Sequence, residues 1–180
     1  MVGIALAFSS LRYPPSFVCL TDGEDKSVEL MQQNIQLQDN ISLLGLNAQC
    51  IHATTMKWGN TCHDSLKQEC LIRFPHIFPQ SNKDIIDFDC ILAGDVLYKQ
   101  ELPQLFFQSV VQYLAKPRGV LFLCHVPRAT VTHEYVLEVA HEYGFHVETL
   151  DLENIPLPLA CPLEDAQRAC IYKMTLSSFT

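Results

Sequence analysis

Ten residues, Asp89 to Tyr98 (DCILAGDVLY), constrain this chain more than any other stretch. Cys90, Ile91, Leu92 and Ala93 run apolar without polar alternation, the pattern of a strand buried on both faces of a parallel sheet. The run breaks at Gly94, and a carboxylate, two apolar residues and a phenol follow. Ligands of open α/β sheets bind beyond the carboxyl ends of the strands, so Asp95 and Tyr98 fall on the functional edge. An Asp at that position also suits the cap of the next helix, and pattern alone leaves both readings open.

Around this stretch, strand-like and helix-like segments alternate. Val2 to Ser10 resembles a helix entered partway, closed by Tyr13-Pro14-Pro15. Phe17 to Leu20 reads as a buried strand ending at Thr21-Asp22-Gly23. Glu24 and Asp25 then put acid in the first turn of a helix that reaches about Leu37, with Val28, Met31 and Ile35 on one face. Ala48 to Ala53 is a third apolar element, followed by Lys57-Trp58-Gly59. Residues 60–84 are polar, carry Pro75 and Pro79 and have no clear period, so they read as an irregular insertion.

After Tyr98, Leu102 to Leu114 is amphipathic through Leu105, Phe106, Val110 and Leu114, and Val120 to Val126 reads as another strand buried on both faces. Thr132 opens a helix with Val136, Val139 and Ala140 as its inner stripe. Phe145 to Leu150 alternates as an edge strand does. A proline-bearing link (Pro156, Pro158, Pro162) leads to a last strand, Ala169 to Leu176. This alternation predicts an α/β sandwich with a mainly parallel sheet, and 180 residues suit one domain, 1–180.

Composition narrows the partners. A net charge of −8 lacks the clustered Lys and Arg of a nucleic-acid surface and fits a soluble protein with a basic partner. No apolar run approaches the roughly 20 residues of a membrane span, and the opening MVGIALAF lacks the basic start of a signal peptide. Cys19, Cys50, Cys90 and Cys124 lie in apolar runs, where a free thiol packs as a small hydrophobe. That usage predicts a reducing compartment, cytoplasmic or also nuclear. Cys62, His63, Cys70 and His76 lack zinc-site spacing, so no metal is expected.

Chemistry concentrates at three strand ends. Asp22 has the position of an acid that accepts hydrogen bonds from ribose hydroxyls, or of a residue serving only the following turn. Trp58, the sole tryptophan, suits stacking on a purine or filling the core. His125 and the His133/His141 pair read as core or solvated histidines.

Thr21-Asp22-Gly23, Lys57-Trp58-Gly59 and Asp95-x-x-Tyr98 occur in the order found in the seven-strand lysine methyltransferases called methyltransferase family 16, and the chain resembles that family from Met1 to about Tyr113. The resemblance implies a Rossmann-like three-layer sandwich and S-adenosylmethionine as cofactor. By the same resemblance Asp22 holds the cofactor ribose, Trp58 lies beside the adenine and Gly94 lines that pocket. Asp95 and Tyr98 then face the target amine of a protein substrate. The family's glycine-rich loop precedes a segment like Val2 to Ala7, where this sequence opens. The expectation is therefore a fold without its first strand and that loop, with a non-catalytic binding module as the alternative to an enzyme.

Overall fold

The structure, a computed structural model, describes residues 15–37, 51–59, 63–75, 77, 86–151 and 163–176. They form two compact units, one up to Ile86 and one from Asp87. The helix expected over Val2 to Ser10 and the link through Pro156, Pro158 and Pro162 lie outside the described residues.

In the first unit, strand β1 (Val18–Asp22), helix α1 (Asp25–Gln36), strand β2 (Ile51–Thr55) and helix α2 (His63–Arg73) follow in order. The two strands pair in parallel, with Val18 opposite Ile51 and Asp22 opposite Thr55, and β2 is the buried one, while Phe17 to Leu20 are half-buried and not buried as expected. Helix α1 starts where acid complements its dipole, with Asp25 in the first turn. It buries Val28, and Met31 and Ile35 are half-buried on the same face, as the spacing predicts. Two side chains fasten it to β2: Gln32 Nε2 donates to the Ala53 carbonyl at 3.1 Å, and Thr55 Oγ1 donates to Asp25 Oδ1 at 2.7 Å.

The stretch read as an irregular insertion contains helix α2. Among its described side chains, Leu66 and Cys70, with Phe74 just past its end, form the inner stripe at four-residue spacing, and all three are buried. Three apolar positions in a polar segment give too weak a period to recognise without the partner surface. That surface is the face of the strand pair carrying Phe17, His52 and Thr54. The Phe17 and Phe74 rings meet at 4.6 Å, and Glu69 accepts hydrogen bonds from His52 Nε2, at 3.0 Å, and from the Thr54 hydroxyl.

The second unit holds β3 (Cys90–Gly94), α3 (Leu102–Tyr113), β4 (Val120–His125), α4 (His133–Glu142), β5 (Phe145–Leu150), α5 (Leu163–Arg168) and β6 (Cys170–Leu176). Its sheet runs β3-β4-β6-β5, with β3 parallel to β4 and β6 antiparallel to both neighbours. Strands β3, β4 and β5 therefore point one way and β6 alone is reversed. The architecture is the α/β, Rossmann-like layering expected, with a mixed sheet.

Burial in β3 and β4 departs from the doubly buried reading. Only Ala93 of β3 is buried, because β3 lies at the edge of this sheet. In β4, Leu121, Leu123 and His125 are buried while Val120, Phe122 and Cys124 are half-buried, so one face is fully covered. The covered core also takes Phe106, Phe107, Val110 and Tyr113 of α3, and Val136, Val139 and Ala140 of α4. Leu105, assigned to the α3 stripe, points outward, and Phe107 takes its place with its ring 5.4 Å from Phe145. The spacing 103, 106, 107, 110 is the one that faces the sheet. Strand β5 closes the sheet as an edge strand, in keeping with its alternation.

Candidate functional site

In the first unit, Asp22 and Trp58 both lie past the carboxyl side of parallel strands. Asp22 ends β1, and its carbonyl accepts the Met56 N–H at 2.8 Å, which fixes the start of the segment leading to Trp58. Its side chain bends the chain toward α1: Oδ1 accepts the Glu24 N–H at 2.9 Å. Asp22 is thus not the helix cap, which is Glu24, but the acid of an Asx turn. This turn occupies one carboxylate oxygen and leaves Oδ2 without a partner among the described residues. Trp58 is half-buried, and Gly59 follows at φ 113°, a backbone conformation that suits glycine.

In the second unit, Gly94 closes β3 opposite Cys124 and is exposed. Asp95 follows at φ 50°, the left-handed region, which costs an L-residue about 1–2 kcal/mol although Asp tolerates it better than most. Such conformations persist where the surroundings impose them, and they cluster at functional sites. Here the surroundings are explicit. The Asp95 N–H donates to the Cys124 carbonyl at 2.8 Å, one step beyond the β3–β4 ladder. The Asp95 carboxylate pairs with Arg128 at 2.6 Å. Asp95 does not cap the next helix, because α3 starts after Glu101. Tyr98 is 57% exposed, and the Lys99 ammonium lies 5.8 Å from its ring centroid.

Behind this edge is a histidine arrangement that sequence reasoning treated as inert. His125 is fully buried, and its Nε2 lies 3.2 Å from the Val131 carbonyl. A carbonyl only accepts, so the proton is on Nε2. His125 Nδ1 is then a buried lone pair with no hydrogen-bond partner among the described residues. Burial, and after it the neighbouring His133, push the His125 imidazole below its ordinary value. The His133 ring stands edge-on to it at 5.2 Å. His133 Nδ1 lies 2.8 Å from the Tyr172 hydroxyl and its Nε2 lies 3.0 Å from the Arg168 carbonyl. Arg128, in a loop, and this cluster, drawn from the end of β4, the start of α4 and β6, lie 30 or more residues from Asp95 in sequence with no shared motif, so no local signal marked them.

The sequence pattern of a family described as lysine methyltransferase matches residues 1–73. Over that stretch the chain is similar to the lysine methyltransferase family. The match takes in Asp22 and Trp58, and Gly94, Asp95 and Tyr98 lie beyond it. A comparison with curated proteins finds no match. Among solved structures, the chain is similar to a TehB-like SAM-dependent methyltransferase from Corynebacterium glutamicum, with 14% identity and a TM-score of 0.54. That alignment covers 89% of this chain and 68% of the other. The fibrillarin pre-rRNA processing protein of Methanococcus jannaschii aligns at 12% identity with a TM-score of 0.49, over 89% of this chain and 56% of that one. By the likeness to the Corynebacterium glutamicum structure, the fold is Rossmann-like and similar to that of SAM-dependent methyltransferases. No helix among the described residues is long and apolar enough to cross a membrane.

Proposed function

We propose that this methyltransferase-fold chain transfers a methyl group from S-adenosylmethionine to the side-chain amine of a protein lysine. The observation that carries the proposal is Asp95: a carboxylate held in the left-handed region at the carboxyl end of β3, with the exposed phenol of Tyr98 three residues on. The lysine methyltransferase match over residues 1–73 supplies the reaction class.

The residues fit such a cofactor chemically. Asp22 has a carboxylate oxygen left over from its turn, suited to a ribose hydroxyl. Trp58 has a half-buried ring of the size and flatness of a purine. Gly94, exposed and without a side chain, permits close approach of a ligand. When bound, S-adenosylmethionine supplies an activated methyl on a sulfonium.

Transfer then needs little from the protein beyond alignment of two reactants. The N–C bond forms as the C–S bond breaks, sulfur keeps the electron pair, and the methylated ammonium loses its proton to water. A neutral amine has two N–H donors and one lone pair. Hydrogen bonds from those donors to Asp95 and to the Tyr98 oxygen leave the lone pair for the methyl carbon. The amine must arrive deprotonated, against an ordinary pKa of about 10.4.

Calorimetry with S-adenosylmethionine tests the cofactor half. Saturable binding that Trp58→Ala weakens supports the proposal. Saturable binding indifferent to Trp58→Ala and to Asp22→Asn removes the residue assignments, and binding without methyl transfer to any protein makes the chain a binding module.

A further inference from the structure

We propose that Arg128 is a positioning residue for the amine site: it holds the Asp95 carboxylate in its strained turn and matches its charge, so that the target amine binds neutral. This rests on the lysine-directed reading above. The difficulty it answers is electrostatic. A bare carboxylate within about 4–6 Å of an amine raises the amine's pKa by roughly 1–3, from about 10.4. The residue that binds the amine would then keep it charged and without a lone pair.

Arg128 removes that conflict, and it is placed to do so. Its guanidinium lies 2.6 Å from Asp95 Oδ2. Its loop is tied at three points. The Arg128 N–H donates to the Val131 carbonyl at 2.9 Å, and the Val131 N–H donates back to the Arg128 carbonyl at 3.2 Å. Buried His125 donates to the same Val131 carbonyl from below, and the Val131 side chain is itself fully buried. Arg168 of α5 holds the preceding residue, donating to the Pro127 carbonyl at 2.7 Å. These ties hold the backbone from which the Arg128 guanidinium reaches Asp95.

The other titratable and charged groups around Asp95 have separate occupations. Lys99 lies over the Tyr98 ring, Tyr135 of α4 donates its hydroxyl to the Gln100 carbonyl, and His133 is engaged with Tyr172 and the Arg168 carbonyl. His125 lies beneath the loop and is held below its ordinary value by burial. Among the described residues, Arg128 is the group paired with the carboxylate.

The test is the pH dependence of amine binding, with Nα-acetyl-lysine methylamide as probe and Tyr98 ring resonances as readout between pH 7.5 and 9.5. If the site takes the neutral amine, the competent fraction rises about tenfold per pH unit below 10.4, so affinity in the wild-type protein rises about 100-fold. Arg128→Ala leaves a bare carboxylate that takes the ammonium, and affinity is then flat over the same range. Arg128→Lys retains a charge and the rise, and Arg128→Gln replaces Arg128→Ala if the latter does not fold. A flat wild-type profile, or an equally steep one without the guanidinium, overturns the role of Arg128 while leaving the amine site standing. Absence of amine binding in every variant overturns the lysine-directed reading and this inference with it.

Discussion

Replacing Asp95 by glycine and by alanine separates the cost of its backbone from the value of its side chain. Both substitutions delete the ion pair to Arg128, whose partners are 38% and 40% exposed. A pair so exposed contributes about 0–1 kcal/mol. They differ at the backbone, where φ is 50°. Alanine keeps a Cβ in the left-handed region, at about 1–2 kcal/mol, whereas glycine occupies it without that penalty. Glycine gives back about 0.5–1 kcal/mol through the greater freedom of its unfolded chain. The difference leaves Asp95→Gly more stable than Asp95→Ala by about 0.5–1 kcal/mol and close to wild type, while both lose the carboxylate proposed to hold the amine. Native-state hydrogen exchange of the slowest β3–β4 amides reads this unit by itself, and the gap appears as roughly two- to fivefold in protection. An alanine variant as stable as the glycine variant would refute the reasoning, because the turn would then be a conformation that any residue adopts freely.

Three further outcomes follow from named contacts. On the proposed reading, Trp58→Ala removes a surface that stacks on the cofactor in ground and transition states alike. The KM for S-adenosylmethionine should rise roughly ten- to a hundredfold, for a stack of about 1–3 kcal/mol, as a cofactor titration measures. Tyr98→Phe deletes only the hydroxyl, so single-turnover rates should fall while cofactor affinity stays within about twofold; equal loss of affinity contradicts the role given to Tyr98. Burial opposes ionisation of Glu69, but Thr54, His52 and Arg73 outweigh it and hold its carboxyl below the ordinary 4.5. Its contribution to stability is complete above that value and is lost as pH falls through the lowered one. Acid melts followed by Trp58 fluorescence should show Glu69→Gln to be less sensitive than wild type below pH 4.5.

The ends of the strands were legible from the sequence because apolar runs stop where turn chemistry begins. Thr21-Asp22-Gly23 and Gly94-Asp95 are such stops, and β1 and β3 end there. The inner stripe of α4 and the edge character of β5 were equally plain, since period 3.6 and period 2 are local properties. Strand order is not local: nothing in Cys170 to Leu176 says that it slots between β4 and β5 in reverse. Helix α2 escaped because its stripe, among the described side chains, is Leu66 and Cys70 with Phe74 just past its end. The Arg128 partner of Asp95 was invisible for a related reason. Its loop has no period or motif, and its significance comes from two backbone bonds and a buried histidine that only the folded chain brings together.

The central claim, methyl transfer to a protein lysine, is tested most directly by the chemical identity of the labelled product. The full-length protein is incubated with S-adenosylmethionine tritiated at the methyl and with protein extract from cells lacking it, and the labelled protein is hydrolysed to amino acids. The account predicts that the label elutes as N-methyl-lysine and disappears with Asp95→Ala. Label in another amino acid, in RNA or in a small molecule would contradict it.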